Sequence, residues 1–482
     1  MNGPCDFDGV VVGGGPAGCA AAAALAGLGW SVLLVDAGVD RHKQLSGEFL
    51  HPAGVRALRE LGLGDVVDHW ASCPVRGFAV FFSASTHAIV LPYARGTTGV
   101  SLEHSAITVP LLEAVARRPG VSVQVRARVT SVDHNDARGV RLRYLHQGVE
   151  HAVRARMLVA ADGRASPVRR MLGISERFTR ISTMLGLTVD SACLPVPDHG
   201  HQFVGGPLYA LAYAIQPEVA RVMVDLPLGS TARTLQEQPE LLATFPRALS
   251  GEIRRALEEN PTPRMASNDD RLAQAVWKGS AVLVGDAASC CHPITGSGMT
   301  SCFHDARALQ EALRLHPDDL PRALERYAGV RRPAQRTRVA LASSFYGACA
   351  GQDEGMRALR LGLLRYWARS PRGARASMAL ASSEASSMWM LAQEYLLVVG
   401  HSLVSLRPGH QRDVRSRAAV PLLLSAGPPL RGAVASTLEQ VGSWWHRRVR
   451  HLRLHARPLG QRATQGRPRI QPVAPAAPVH VP

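Results

Sequence analysis

A chain of 482 residues, 46% hydrophobic and 19% charged, is too long for one ordinary domain and too apolar for a disordered one. Two or three structural units around a large core are therefore expected. The formal charge of +17 argues little for nucleic acid, because every basic residue except Lys43 and Lys278 is arginine, which reflects coding bias as much as a selected surface. The arginines lie thickest after Arg407, beside apolar runs, so an anionic membrane surface is the better partner and nucleic acid is not expected. Eight cysteines show neither C-x-x-C nor zinc spacing with histidine, so no metal is expected. The first residues carry Asp6 and Asp8 and no positive stretch, which reads as cytoplasmic rather than secreted.

In chain order, Gly9 to Val12 is a β-branched strand that stops in Gly13-Gly14-Gly15-Pro16-Ala17-Gly18, and Cys19 to Leu28 is nearly all Ala and Leu. Strand, tight turn and buried helix follow. Gly13 permits the turn, Gly15 lets the backbone approach a pyrophosphate, Pro16 and Ala17 open the helix, and Gly18 lets helix and strand pack closely. Gly29 to Val35 supplies a second strand ending at Asp36, whose carboxylate suits the ribose hydroxyls of an adenosine and would repel a 2′-phosphate, favouring FAD or NAD over NADP.

Gly77 to Val90 and Ser182 to Pro227 alternate in polarity and read as antiparallel strands of a sheet that caps the cofactor. Phe203, Tyr209, Leu211, Tyr213 and Met223 are its candidate pocket side chains, each with ordinary sheet core as the competing reading. Two further strands end in turns: Ala155 to Ala161 runs into Asp162-Gly163-Arg164-Ala165-Ser166-Pro167-Val168-Arg169, and Ser280 to Val284 runs into Gly285-Asp286-Ala287-Ala288. His292-Pro293-Ile294-Thr295-Gly296-Ser297-Gly298-Met299-Thr300 follows. Pro293, Gly296 and Gly298 shape a loop able to lie flat against a ring, and the helix beginning at Gly298 and Met299 would aim its N–H groups at the electron-rich edge of a reduced flavin.

Three such motifs in this order resemble the flavoprotein monooxygenases of the para-hydroxybenzoate hydroxylase type. The resemblance implies that the first motif holds the ADP half of FAD, that Asp286 contacts the ribityl chain, and that Asp162 and Arg169 serve FAD and nicotinamide binding. Gly47-Glu48-Phe49-Leu50-His51-Pro52-Ala53-Gly54 resembles the Gly-Glu-Leu-Leu-Gln-Pro-Gly-Gly segment of squalene epoxidases, and His292 to Thr300 resembles their His-Pro-Leu-Thr-Gly-Gly-Gly-Met-Thr. The flavin-domain resemblance spans most of residues 9 to 335. Two features depart from relatives: Ile107 to Leu112 lacks the arginine often found before the following helix, and no Trp-x-Trp-x-Ile-Pro segment marks a halogenase.

The implied fold is α/β: a Rossmann-type FAD-binding domain (1–76, 107–177, 271–335), an interleaved antiparallel β substrate domain (77–106, 178–270) and a C-terminal helical region (336–457). The tail 458–482, rich in Pro and Ala, reads as disordered. Ala385 to Leu406 is apolar but contains Glu394 and His401, which favours a surface or core helix over a membrane span. Ala418 to Leu430, Trp444-Trp445 and the basic cluster from His446 to Arg457 suit either a headgroup boundary or a solvated basic face.

The resemblance further implies that NADH or NADPH docks transiently, that dioxygen forms a flavin C4a-hydroperoxide, and that the acceptor is a lipophilic isoprenoid or a prenylated aromatic such as a quinolone of secondary metabolism. His292 is the titratable side chain nearest the flavin loop and a weak catalytic candidate whose expected role is structural. A flavin-dependent isoprenoid saturase or cyclase of the same fold is the alternative activity, and a flavoprotein that only binds membranes or partners is the non-enzymatic one.

Overall fold

The computed structural model describes residues 5–38, 47–68 and 72–405. The expected apolar run and basic cluster between 406 and 457 and the tail 458–482 lie outside them. Two large sheets organise the described chain. The first runs in the order Trp277–Lys278, Ala281–Leu283, Val149–Ala160, Phe7–Val12, Val32–Asp36, Val121–Val125, with Gly139–His146 and Ala127–Asp136 continuing antiparallel from Val149–Ala160. From Ala281–Leu283 to Val121–Val125 the neighbours are parallel, so each link between them needs a crossover. The helix Pro16–Ala26 is one such crossover. It is apolar all round and its alanines 20 to 24 are fully buried, as expected for a helix wedged between a sheet and the helix Gly298–Leu315.

The second sheet is ordered Ser289–Cys290, Met265–Ala273, Glu176–Asp190, Val219–Leu226, Tyr209–Gln216, Gly200–Val204, Gly77–Phe82, Ala88–Pro92. Side chains alternate across it. Ala79, Phe81, Phe203, Ala210, Ala212, Val222 and Val224 form one core with Leu249, Ile253 and Leu257 of the helix Arg247–Glu259, whose apolar residues recur every fourth position. Phe78, Val80, Tyr209, Leu211, Tyr213 and Met223 form another with the C-terminal helices. One face is thus closed by a helix, and the other looks towards the loops of the first sheet. A small third sheet, ordered Phe49–Leu50, Gly99–Ser101, Cys73–Val75, is interleaved with them along the chain.

Four helices follow: Leu320–Ala350, Glu354–Arg369, Pro371–Ala381 and Met388–Ser405. Asp319, Asp353 and Ser370 cap the first three by accepting backbone N–H bonds. The helix Leu320–Ala350 runs through Pro333 without ending. Position 336, the expected start of the helical region, therefore falls inside a helix that begins sixteen residues earlier.

Candidate active site

The first turn is built by exclusion. Gly13 has φ +106°, and a Cβ there would lie 2.4 Å from the carbonyl oxygen of Ala161; at Gly18 it would lie 1.7 Å from that of Gly13. Both glycines let backbone touch backbone. Gly15 is different, since a Cβ would meet nothing within 4 Å. It stands before the helix Pro16–Ala26, whose first N–H groups have no partner within the helix. Asp36 closes the turn from the neighbouring strand by accepting the N–H of Gly14 at 3.0 Å.

The second turn points inward. Asp162 accepts from the hydroxyl of Ser166 at 2.5 Å and from the N–H of Val168 at 2.8 Å, and burial raises its pKa above the usual carboxylate range. Arg169 is 1% exposed. It donates to the carbonyl of Ala287 at 2.9 Å and pairs with Glu176 at 2.7 Å. Asp162 thus holds the second turn together, Arg169 ties that turn to the third, and neither lines the cleft described below. Arg164, between them in the chain, does line it and donates to the carbonyl of Ser267 at 2.9 Å.

The third turn, Gly285–Ala287, presents Asp286, while the N–H of Gly285 is held by Asp305 at 2.8 Å. Asp305 is itself buried against Arg331 and Gln335. The turn Pro293–Thr295 then ends in Gly296 at φ +64°, and the helix Gly298–Leu315 starts with its N-terminus at the same opening.

The three turns meet. Gly15, Pro16, Ala17, Asp286, Pro293, Gly296, Gly298 and Met299 line one cleft between the two sheets, and Met184, Leu211, Tyr213 and Met223 form its opposite wall. Of the expected pocket residues, Phe203 lies elsewhere: it pairs with Ala210, so it faces away from Leu211 and packs on Phe245 across the sheet. Tyr209 is on the correct face but buried beside His292, with its hydroxyl unpartnered, and does not line the cleft. His292 does line it, yet both ring nitrogens are engaged. Nδ1 accepts the N–H of Ile294 at 3.1 Å and Nε2 meets Asp225 at 3.1 Å, so the ring shapes the turn and has no nitrogen left for proton transfer in this arrangement.

Sequence reasoning missed several lining residues: Glu48, Phe49, His104, Arg164, Asn268, Asp269 and Arg338. His104 opens the helix His104–Ala116, the element in which the family arginine is missing, and its Nδ1 lies 3.2 Å from the carbonyl of Gly47. Glu48 is fully engaged with Arg221, whose Nε and one terminal nitrogen each reach a carboxylate oxygen at 2.9 Å. Their separation of 173 residues left no local signal, although Glu48 itself stands in a recognisable motif.

His51 joins the third turn to the substrate side. Its Nε2 lies 2.8 Å from the carbonyl of Thr295, which requires the proton on Nε2, and its Nδ1 then accepts from the hydroxyl of Tyr93 at 2.5 Å. Burial pushes its pKa down to about 4, as it does for His201 and His304. Because these folded values lie below the unfolded one, the stability they carry is full above pH 6.5 and is lost as pH falls towards 4. About 3 kcal/mol per ring is at stake. Thermal midpoints measured across that range should fall steeply with acid. His51→Gln, which installs the amide found at this position in the squalene epoxidase motif, preserves a donor for Thr295 and an acceptor for Tyr93 and should flatten the slope; an unchanged slope would show that the ring does not titrate with unfolding.

A cleft where three turns at the ends of parallel strands face an oily antiparallel sheet is the cofactor cleft of a class A flavoprotein monooxygenase, and the open space over Gly15 beside a helix N-terminus fits a dinucleotide pyrophosphate. The FAD binding domain family matches residues 6–341, and the chain belongs to it. Squalene epoxidase of Aspergillus fumigatus is 28% identical over 388 residues, covering 75% of this chain and 79% of that protein. Among solved structures, PqsL of P. aeruginosa in complex with 2-aminobenzoylacetate has a TM-score of 0.63 at 23% identity, covering 72% of this chain and 97% of that one. The p-nitrophenol 4-monooxygenase PnpA of Pseudomonas putida has a TM-score of 0.65 at 19% identity, with 78% and 97% covered. The protein is an FAD-dependent monooxygenase.

Proposed function

We propose that the enzyme uses NADH or NADPH and dioxygen to epoxidise or hydroxylate a lipophilic isoprenoid, or a prenylated aromatic such as a quinolone, in secondary metabolism. One observation carries this reading. Behind the cleft, on the same face of the second sheet, lies an apolar cavity lined by Phe78, Leu91, Leu341, Phe345, Leu359 and Trp367 among others. The partition is aromatic: Phe49 lines the cleft, Phe78 lines the cavity, and their rings stack at 5.3 Å. An apolar group buried there would gain about 25 cal/mol per Å² removed from water, and a chain continuing to the cleft would have to pass these two stacked rings. The squalene epoxidase similarity supports the same substrate class.

Bound FAD supplies the activation of oxygen. The chain supplies the rest: Gly15, Pro16 and Ala17 with the first N–H groups of their helix hold the pyrophosphate, with Gly13 and Gly18 shaping the turn. Asp36 holds the ribose and Asp286 the ribityl chain. Pro293, Gly296, Gly298 and Met299 form the bed of the ring, and Gly285 lets the third turn pack against Ala17. Asp162 acts by holding the second turn in shape, and Arg169 by locking that turn to the third. Leu211, Tyr213 and Met223 exclude water over the reacting atoms. An alkene needs no general base, since an electrophilic oxygen adds to it directly, and the engaged His292 agrees with that.

The setting we favour is cytoplasmic with peripheral membrane contact. Trp389, Leu396 and Leu403 recur every seventh residue on the helix Met388–Ser405 and are about half exposed, as is Leu397, an apolar stripe that suits a lipid surface. Among the described residues no helix is long and apolar enough to cross a membrane. Mass spectrometry of products formed under ¹⁸O₂ from prenylated candidates tests the reaction: one labelled oxygen per product is expected, with none formed without oxygen. Undiminished anaerobic turnover would instead identify a saturase or cyclase.

A further inference from the structure

Gln202 stands in the wall of the apolar cavity and is bonded to the turn that lines the cleft. It lies on the strand Gly200–Val204 opposite Leu211 and Val80, is 1% exposed and lines the apolar cavity. Its Nε2 donates to the carbonyl of Ile294 at 3.0 Å, inside the turn whose Pro293 and Thr295 line the cleft. That bond fixes the amide orientation, because only the nitrogen can donate to a carbonyl. The other end, Oε1, is buried without a partner. Two other polar side chains of the cavity are engaged: Ser377 accepts from the indole of Trp367 at 2.9 Å, and Glu394 accepts from the hydroxyl of Tyr366 at 2.8 Å. A buried acceptor without a partner, on a side chain that lines an apolar chamber beside the flavin loop, is what a binding site for a donor leaves behind when its ligand is absent.

We propose, resting on the function above, that the substrate carries an aromatic O–H or N–H donor which bonds Oε1 of Gln202, and that this residue selects against plain isoprenoid hydrocarbons. The bond also sets direction. The polar ring lies at the cleft and its prenyl tail runs back towards Leu359 and Trp367, so oxidation falls on the ring or the double bond nearest it rather than on the far end of the tail.

The test uses the FAD-loaded enzyme and two probes, a farnesylated phenol and the same compound with hydrogen in place of the hydroxyl. Binding is read from perturbation of the flavin absorbance, independently of turnover. The phenol should bind at least about ten-fold more tightly. Gln202→Met, an apolar replacement of similar length, should abolish or reverse that preference, with FAD content measured alongside, while Glu394→Gln should leave it intact. Equal affinity of the unaltered enzyme for both probes overturns the proposal even if Gln202→Met fails to fold, and leaves the lipid-oxidising function standing. A preference that survives Gln202→Met, or that disappears in Glu394→Gln, also overturns it. Binding of neither probe sinks the proposal together with the lipophilic-substrate reading on which it rests.

Discussion

Glu48→Ala should destabilise the protein by about 3–5 kcal/mol, the range found when one partner of a buried ion pair is removed. The side chains of Glu48 and Arg221 are 1% and 3% exposed. Both carboxylate oxygens take a guanidinium N–H, and the hydroxyl of Tyr213 donates to the same carboxylate at 3.2 Å. Without Glu48, Arg221 keeps the hydroxyl of Thr188 at 2.6 Å, which carries no charge to offset the guanidinium. Truncation of Glu48 therefore strands a cation and a phenol in the wall of the cleft. The pair also pins the segment before Phe49–Leu50 to the second sheet, so flavin retention should fall with stability. Denaturant midpoints with and without FAD measure both effects. The double variant Glu48→Leu with Arg221→Met removes both charges and should recover most of the loss, since an apolar pair of similar volume can match a buried ion pair. A single variant within about 1 kcal/mol of the parent, the size of an exposed ion pair, would mean that water reaches the pair and that the cleft is less closed than its geometry indicates.

The parts of this molecule legible in the sequence are those whose physics is local. A β-branched run, a glycine turn and an alanine helix are adjacent in the chain, and the requirement for backbone contact at Gly13 and Gly18 is written into the residue types themselves. The α/β class followed from three such units in order. Side-chain direction in the second sheet was legible only within a strand. Tyr209, Leu211 and Tyr213 share a face by alternation, but the turn between Val204 and Tyr209 resets the count, and Phe203 came out on the helix side. Asp162 and Arg169 sit in a recognisable motif, yet whether Arg169 faces a ligand or the neighbouring turn depends on Ala287 and Glu176, which are distant in sequence or unremarkable in type. Gln202 and Arg221 fell in stretches read simply as alternating strand. Their partners, Ile294 and Glu48, are 92 and 173 residues away, and only the closed sheet brings them together.

Gly15→Val and Gly18→Val should fail in opposite ways, and the contrast isolates what the first turn does for the cofactor. At Gly18 a Cβ would sit 1.7 Å from the carbonyl oxygen of Gly13, so the helix Pro16–Ala26 would have to leave its strand. Overpacking of a well-filled core typically costs about 1–3 kcal/mol, and here the obstacle is backbone with no rotamer to yield, so loss of folded protein is the expected outcome. Gly15 has φ −76° and ψ −177°, a conformation open to any residue, and nothing lies within 4 Å of its would-be Cβ. Its variant should fold with a thermal midpoint near that of the apoprotein. The same open space is where a pyrophosphate must approach the helix N-terminus, so Gly15→Val should weaken FAD binding roughly 100-fold or more, about 2.7 kcal/mol, and purify colourless. Flavin titration of the folded variant decides the matter: a yellow Gly15→Val protein with undiminished affinity would move the dinucleotide away from the first turn, and with it the assignment of Asp36 and Asp286 to the two ends of the same cofactor.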